Sequence, residues 1–280
     1  MIAPERCPVC GDLPRPRIDR PALRIVRSPG CGLEWQDPFP DAAELAALYG
    51  DDYFARWGLT DDASFARVRA MKIASCRPLL QALRERRPGG RLLDVGCAYG
   101  FLLDAARDLG FEAFGLDLSA AAVAHARKAH GARVHLGPLD DDAFPGARFD
   151  AVTLVDVLEH VPDPEAFLAQ VRARLAPGGT LAAVLPNAAS AVRRVLGARW
   201  PHYAREHLWY WTPGSLRRFL SAQGFPDLAL RTGVRKTFTG TYLHAYARSL
   251  GGSFAPAFRL LGSARVRLPT GEMWVLARSD

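Results

Sequence analysis

The segment DVGCAYG, residues 94–100, joins a carboxylate to a turn that lacks side chains at two positions. Gly96 and Gly100 let a ligand approach the backbone closely, and the amide groups of a helix that follows can donate to an anion such as a carboxylate. Asp94 adds an acceptor for a ligand ammonium group. Asp117, twenty-three residues later, can accept from both hydroxyl groups of a ribose. These residue types predict a ligand site at this turn.

A second group of residues near the N-terminus could bind a metal. CPVCG (7–11) and SPGCG (28–32) look like the two knuckles of a zinc ribbon, in which four ligands hold the ion. The second knuckle has a serine at its first position, so three thiols remain: Cys7, Cys10 and Cys31. A neutral serine is a poor zinc ligand. Either an acid such as Asp12, Glu34 or Asp37 completes a zinc site, or the module folds without metal.

Strands and helices alternate through the middle of the chain. Short apolar runs predict strands at 91–96, 111–119, 134–136, 149–158 and 180–187, and helical patterns predict helices at 101–110, 120–130 and 164–179. This alternation predicts a parallel, doubly wound α/β sheet with right-handed crossovers. In such a sheet a ligand binds at the carboxyl ends of the strands, where the strand order reverses.

The flanking segments have weaker patterns. Residues 1–40 are rich in Pro, Gly, Cys and Arg and favour a looped module over helices or long strands. Helices are predicted from Asp41 onward, over 64–87 and from Thr212 to Ala222, and strands near 227–235 and 272–278. Residues 238–262 are expected to form an insertion with helical stretches.

A nicotinamide or flavin dinucleotide would suit a glycine-rich turn, but its fingerprint GxGxxG/A is incomplete here. Ala98 stands at the second glycine position and Phe101 at the third small position. A bulky ring would meet the pyrophosphate. A plain tight turn of an unrelated α/β protein is the remaining alternative that this motif leaves open.

The motifs together decide between these alternatives. LLDVGCAYG, FGLDLS, RFDAVTLVDVLEHVPDPEAFL and LAPGGTLAAVLPN follow one another in an order that resembles the class I S-adenosylmethionine-dependent methyltransferases, with a Rossmann-like fold. The resemblance covers roughly residues 89–225. PNAASAVRRVLGARW and EHLWYWTPGSLRRFLSAQGF are similar to the small-molecule branch that includes ubiquinone-biosynthesis-type O-methyltransferases.

The resemblance implies a cofactor site for S-adenosylmethionine. It assigns the methionine end to Asp94 and the turn, the ribose to Asp117 and the adenine to the residues beside them. Val155 and Asp156 would lie beneath the sulfonium, and Tyr53 is similar in position to lid aromatics over the methionine moiety. The full predicted set is Tyr53, Asp94, Gly96, Cys97, Ala98, Gly100, Asp117, Leu118, Leu139, Asp140, Val155 and Asp156.

Methyl transfer to a hydroxyl group needs a general base, and histidine serves this role near neutral pH. The three candidates are His160 after the fourth strand, His202 in WPHYARE and His207 in REHLWYW. Each could equally cap a helix or pack among surface aromatics. The dense aromatic stretch from Trp200 to Trp211 either packs against the edge of the sheet or lines an acceptor pocket.

Asp156, Glu159 and His160 also resemble a divalent-metal site of some ubiquinone-type O-methyltransferases. Magnesium would suit such oxygen and nitrogen ligands. Asp156 is shorter than the glutamate expected at its position, which disfavours the metal.

Composition restricts the class of protein. With 280 residues, 49% hydrophobic, the chain can form one large domain with a small appendage, and it has no run long enough to cross a bilayer and no apolar start typical of a signal peptide. We therefore expect a cytoplasmic enzyme. Residues 1–185 carry 22 basic and 25 acidic side chains, whereas residues 186–280 carry 14 and 4. The basic third favours an anionic acceptor, but no basic and aromatic stripe indicates nucleic-acid binding.

The predicted organisation is a zinc-ribbon-like module at 1–40, a helical lid at 41–88 and the Rossmann-like domain at 89–280. The predicted function is methyl transfer to a small molecule, most readily to oxygen of a sugar, phenol or natural-product intermediate. C- or N-methylation, a cofactor-binding partner subunit without turnover and an RNA modifier are the alternatives. The oligomeric state, with a homodimer as one alternative, stays open.

Overall fold

The computed structural model describes residues 3–21, 23–41, 43–45, 61–249 and 258–280. The strands are β1 (Arg15–Arg20), β2 (Leu23–Arg27), β3 (Glu34–Gln36), β4 (Gly90–Val95), β5 (Phe111–Asp117), β6 (Val134–Leu136), β7 (Phe149–Val155), β8 (Leu175–Pro186), β9 (Trp209–Tyr210), β10 (Asp227–Thr232), β11 (Arg235–Thr239), β12 (Arg265–Pro269) and β13 (Glu272–Arg278). The helices are α1 (Asp62–Arg86), α2 (Phe101–Asp108), α3 (Ala120–His130), α4 (Pro164–Arg174), α5 (Ala191–Leu196), α6 (Pro213–Ala222) and α7 (Gly240–Ser249).

A seven-stranded sheet in the order β10-β13-β8-β7-β4-β5-β6 forms the centre of the molecule. The five strands from β8 to β6 are parallel, and the order reverses at β4, which pairs with β5 on one side and β7 on the other. This confirms the predicted Rossmann-like α/β fold. The two later strands extend this sheet in antiparallel fashion: β13 pairs with β8, and β10 pairs with β13.

The central strands are apolar because helices cover both faces of the sheet. Along β4, Leu92 packs in one buried cluster and Leu93 in the other, since successive side chains point to opposite faces. Ala151 and Val152 of β7 divide between the same two clusters. The carboxyl ends of these strands are thereby held at one rigid edge.

The cap signals in the sequence correspond to the ends of several helices. The side chains of Ser119 and Thr212 accept from the backbone amides of Ala122 and Ser215 at the starts of α3 and α6. Asp41 and Glu44 form a reciprocal capping box before residues 43–45, which are helical. The rest of that predicted helix, and Tyr53 with it, lies outside the described residues.

Three local expectations are wrong. Residues 175–179 extend β8 rather than α4, because this segment continues along β7 across an irregularity in register. Residues 238 and 239 end strand β11, which pairs with β12 in a hairpin that the sequence pattern did not indicate. Residues 1–40 contain strands of six and five residues, β1 and β2, instead of loops alone.

The N-terminal strands form a sheet with the rest of the chain, in the order β1-β2-β3-β9. Trp35 of β3 pairs with Trp209 of β9 and is completely buried in the main core. The division of the chain at residues 40 and 88 remains a prediction. Within the described residues, no helix combines the length and the apolar character needed to cross a membrane.

Candidate active site

The turn after β4 has a tightly specified backbone. Gly96, Ala98 and Gly100 all have positive φ angles, 77°, 46° and 80°. The amides of Gly96 and Cys97 both donate to the carbonyl oxygen of Leu116, at 2.9 and 3.0 Å, which fixes the turn against β5. A Cβ atom on Gly96 would come within 2.8 Å of Val157. The backbone therefore requires glycine at this position.

Two carboxylates lie beside this turn, one buried (Asp94) and one half-buried (Asp117). Asp94 accepts a hydrogen bond of 2.6 Å from the Thr153 hydroxyl group, and burial raises its pKa to about 7. Asp117 accepts from the amides of Ala98 and Ser119, both at 2.8 Å, and burial raises its pKa despite these bonds. Buried acids with raised pKa values favour a ligand that is cationic or donates hydrogen bonds. These two hydrogen-bond acceptors thus fit an ammonium group and a ribose diol.

The residues predicted to contact adenine differ in exposure. Leu118 is 75% exposed although it directly follows the buried end of β5. Leu139 is buried in the main core, whereas Asp140 is half-buried and accepts from the amides of Asp142 and Ala143. Leu118 therefore offers an exposed apolar surface at the carboxyl ends of the strands. Of Leu139 and Asp140, Asp140 is the more accessible.

Asp156 occupies a strained position at the end of β7. Its φ angle is 57°, in the left-handed region, and its amide donates to the carbonyl oxygen of Val184. Lys236 of β11 donates to both carboxylate oxygens of Asp156, at 3.1 and 2.8 Å, and lies 2.7 Å from Glu272. Burial raises the pKa of Asp156, but the Lys236 and Lys72 ammonium groups outweigh it and lower that pKa.

Sequence reasoning missed Lys236, Lys72 and Glu272. Burial lowers the pKa of Lys72 to about 8, and burial likewise opposes the charge of Lys236, whose pKa Asp156 and Glu272 nevertheless raise. A signal was available, since the chain holds only three lysines among 36 basic residues. Two of the three are near Asp156, where a compact ammonium group fits between carboxylates.

The three candidate histidines lie together. The rings of His160 and His207 are 4.6 Å apart, and those of His202 and His207 are 5.8 Å apart. His160 donates from Nδ1 to the carbonyl oxygen of Glu206 at 2.8 Å, and His202 donates from Nε2 to that of Thr270 at 3.2 Å. Burial lowers the pKa of all three imidazoles. They are therefore neutral near pH 7 and able to accept a proton.

Glu159 lies beside two of these rings and is completely buried. A carboxylate oxygen of Glu159 and ring nitrogens of His160 and His207 lie within 4.8 Å of one another. Burial, and then the charge of Asp156, raise the pKa of Glu159 well above its usual value. The sequence suggested Asp156, Glu159 and His160 as an unfavourable set of metal ligands. The fold instead brings His207 together with Glu159 and His160, and Asp156 pairs with Lys236.

The aromatic stretch after residue 200 packs inside the protein, mainly against the N-terminal strands and α6. The buried rings are Trp200, Tyr203, Trp209, Tyr210 and Trp211. Trp200 also contacts the ring of His202, at 4.9 Å between centroids. These aromatic residues therefore serve as packing residues, as one of the two alternatives predicted. Trp200 connects their cluster to the histidines through its contact with His202.

The N-terminal cysteines converge. Cys7 Sγ lies 3.4 Å from Cys31 Sγ, and Cys10 Sγ lies 3.1 Å from the hydroxyl oxygen of Ser28. The three thiols lie within 4.8 Å of one another, and Ser28 completes a four-cornered group. The bond from Cys7 lowers the pKa of the Cys31 thiol to about 5. Three convergent thiols fit zinc, with Ser28 as the weak fourth corner.

Comparison with known proteins assigns the family. A model of the methyltransferase domain matches residues 67–230. The chain belongs to the methyltransferase domain family. The ubiquinone biosynthesis O-methyltransferase of Bradyrhizobium diazoefficiens is 32% identical over 212 residues, which cover 71% of this chain and 78% of that protein. That of Bradyrhizobium sp. (strain ORS 278) is 32% identical over 167 residues, and the match spans 55% of this chain and 66% of that relative.

Solved structures agree on the fold. The 1,6-didemethyltoxoflavin-N1-methyltransferase of Burkholderia thailandensis, bound to S-adenosylhomocysteine, superposes with a TM-score of 0.55 at 16% identity, over 95% of this chain and 99% of that one. Magnesium protoporphyrin IX methyltransferase from Synechocystis gives 0.55 at 18%, over 86% and 100%. The predicted class, an S-adenosylmethionine-dependent methyltransferase, is confirmed, and S-adenosylmethionine is the cofactor.

Proposed function

We propose that this methyltransferase transfers the methyl group to a hydroxyl oxygen of a small molecule. The observation that carries the proposal is that the rings of His160, His202 and His207 cluster at the same edge of the sheet as the turn at 94–100. Gly96 of the turn packs against Val157, which leads directly into the segment of Glu159 and His160. Relatives of this chain are named as O-methyltransferases.

In this proposal the cofactor residues keep the roles that the motif resemblance implies. Asp94 accepts from the ammonium group of the methionine moiety, with the turn at 96–100 around it, and Asp117 accepts from the ribose. Leu118 and Asp140 flank the adenine, with Leu139 behind them in the core. S-adenosylmethionine supplies a methyl group on a cationic sulfonium. Val155 and Asp156, at the end of β7, support the sulfur from below.

A hydroxyl nucleophile must lose its proton as the oxygen–methyl bond forms, and a histidine takes that proton. We assign this role to His202, because Glu272 lies 3.7 Å from its Nε2 and would stabilise the imidazolium ion that results. His160 and His207 are the alternatives within the cluster. All three are half-buried, which limits the access of water to the reacting groups.

The test is the release of S-adenosylhomocysteine with a panel of sugars, phenols and hydroxylated intermediates. We expect His202→Gln to lose about 100-fold in turnover with cofactor affinity unchanged, because only the proton acceptor is removed. His160→Gln and His207→Gln serve as matched variants and should lose less. A base at either of those positions would reverse the ranking.

Other outcomes separate the alternatives. Equal, small losses in all three variants would exclude a histidine base and favour C- or N-methylation. Tight binding of S-adenosylhomocysteine without turnover on any acceptor would favour a partner subunit without catalysis. RNA affinity that falls steeply with salt would indicate an RNA modifier.

A further inference from the structure

Several polar atoms around the histidines are buried without a hydrogen-bond partner in the described part of the chain. Most of the orphaned side-chain atoms there belong to this one region, and the others are indole nitrogens of packed tryptophans. The atoms in question are Glu159 Oε1 and Oε2, His207 Nδ1, Thr270 Oγ1 and Glu272 Oε2. Buried polar groups in native proteins nearly always have partners, so such a concentration indicates a missing polar ligand.

These residues form one continuous cluster, although they come from distant parts of the chain. At one end of the cluster, His202 contacts both Thr270 and Glu272. Its Nε2 is 3.2 Å from the carbonyl oxygen of Thr270 and 3.7 Å from Glu272. At the other end, His207 lies within 4.8 Å of Glu159. Glu272 thus lies beside the proposed base His202, and Glu159 lies beside His207, the next ring of the cluster.

The chemistry of the orphaned atoms selects the ligand. Three of the five are carboxylate oxygens, which accept hydrogen bonds when ionised and would repel an anion. A hydroxyl group both donates and accepts, so it can pair with Glu159 or Glu272 in either protonation state, and with the threonine and histidine as well. A ligand with several hydroxyl groups can therefore satisfy more of these atoms than a ligand with one.

The charge balance of the cluster agrees with this selection. Asp156 and Glu272 both pair with the ammonium group of Lys236. The ammonium group of Lys72 also interacts with these two acids, so the charges balance and the cluster offers no excess cation to an anionic ligand. The excess positive charge of residues 186–280 lies elsewhere, for example on the exposed arginines Arg265 and Arg267 of β12. The basic third of the sequence therefore does not make the cluster itself attractive to an anion.

We infer that the acceptor enters this cluster as a polyhydroxylated, sugar-like ring without negative charge. One ring hydroxyl lies at His202, and its neighbours donate to Glu159 and Glu272. This inference rests on the proposed function, since it names the acceptor of the same site.

The test uses the full chain saturated with S-adenosylhomocysteine and saturation-transfer NMR with four neutral methyl pyranosides: glucoside, galactoside, mannoside and rhamnoside. We expect transfer to at least one of them, and an affinity about tenfold lower in Glu159→Leu, the upper end for one lost hydrogen bond. Glu165→Leu, at an exposed glutamate of α4, is the matched control and should bind normally.

A second measurement keeps the test independent of folding defects. If Glu159 serves a ligand, Glu159→Leu removes an unsatisfied buried acid and should raise the Tm of the ligand-free protein, by about 3 °C. A lower Tm would assign Glu159 to structure and overturn the inference.

Catechol or glucuronate as the only ligands bound would also overturn the inference, as would Glu159-dependent binding of Mn²⁺, which would make the cluster a cation site. Loss of S-adenosylhomocysteine binding in the wild-type chain would instead contradict the proposed function. The two failures are therefore distinguishable.

Discussion

The cofactor turn and the histidine cluster lie along one edge of one sheet, but they are constructed in different ways. The turn at 94–100 and Asp117 belong to two consecutive strands, and backbone amides hold them. The histidine cluster is made of side chains from segments near residues 159, 205, 236 and 271. Its polar groups are buried together, and several lack partners.

This difference matches two tasks. A shared cofactor can be recognised by backbone geometry, which changes little when surrounding side chains change. An acceptor that varies between enzymes needs side chains, and the loops and hairpin that carry them can diverge without disturbing the sheet. We therefore expect changes in the cluster to affect stability and acceptor use, and changes at the turn to affect the cofactor.

The largest effect is expected at Lys236, whose removal deprives Asp156 and Glu272 of the ammonium group that pairs with both of them. Lys236→Met should lower the free energy of unfolding by about 3 kcal/mol, the lower end for a broken buried pair because Asp156 is 35% exposed. Urea denaturation measures it, with Lys128→Met at an exposed site of α3 as the control. An unchanged free energy would mean that the ion pairs do not hold the cluster together.

The next effect concerns the turn. Asp117→Ala should weaken binding of S-adenosylhomocysteine about 100-fold, because two charge-assisted hydrogen bonds to a ribose, roughly 1.5 kcal/mol each, are lost. Calorimetry measures the affinity, and Asp141→Ala, at a fully exposed acid beyond β6, provides the control. Equal affinities in the two variants would remove Asp117 from the cofactor site and end the proposed division of roles.

Asp94 gives the turn a pH dependence of its own. Its folded pKa of about 7 exceeds the unfolded value, so the ionised group destabilises the fold increasingly as pH rises from about 4 to 7. Asp94→Asn should therefore stabilise the ligand-free protein by roughly 2 kcal/mol at pH 8, and by progressively less toward pH 4. Thermal unfolding across this range checks it, and a difference independent of pH would contradict the buried charge.

The smallest effect is expected in the N-terminal cysteine group. It consists of two turns, at residues 7–11 and 28–32, that tertiary packing brings together. Ser28→Cys completes four thiols, because Ser28 already lies near Cys10 and Cys31. Zinc affinity should rise about tenfold or more over the wild-type chain. Competition with a chromophoric chelator measures it, and Ser190→Cys, away from the thiols, is the control. Equal affinities would show that the fourth corner is not a ligand position.

The central strands were predictable because their signals are local. Leu92 and Leu93 belong to a short apolar run before a glycine turn, and Ser119 and Thr212 cap helices with their own side chains. The pairing of β11 with β12 was not predictable, since the strands are separated by 25 residues and the side chains of β12 are mostly exposed. The antiparallel direction of β13 likewise depends on how the chain returns to β8.

The candidate site divides in the same manner. Asp94, Gly96, Gly100 and Asp117 were identifiable because a strand, a turn and the next strand fix their mutual positions. The three histidines were identifiable singly, by residue type, but nothing in their spacing of 42 and 5 residues predicted contact between the rings. Lys236 and Glu272 carried no motif, and only their tertiary partners give them a role.

The glycine-lined turn, the two acids beside it and the edge of the sheet at which a ligand is predicted to bind could all be identified from the sequence. These features follow from backbone geometry over short spans of the chain. Only the folded chain shows which charges face one another, that Lys236 pairs with Asp156, and that Glu159 lies unsatisfied beside His160 and His207. Burial and electrostatics depend on every element packed around a group, and no local stretch of sequence contains that information.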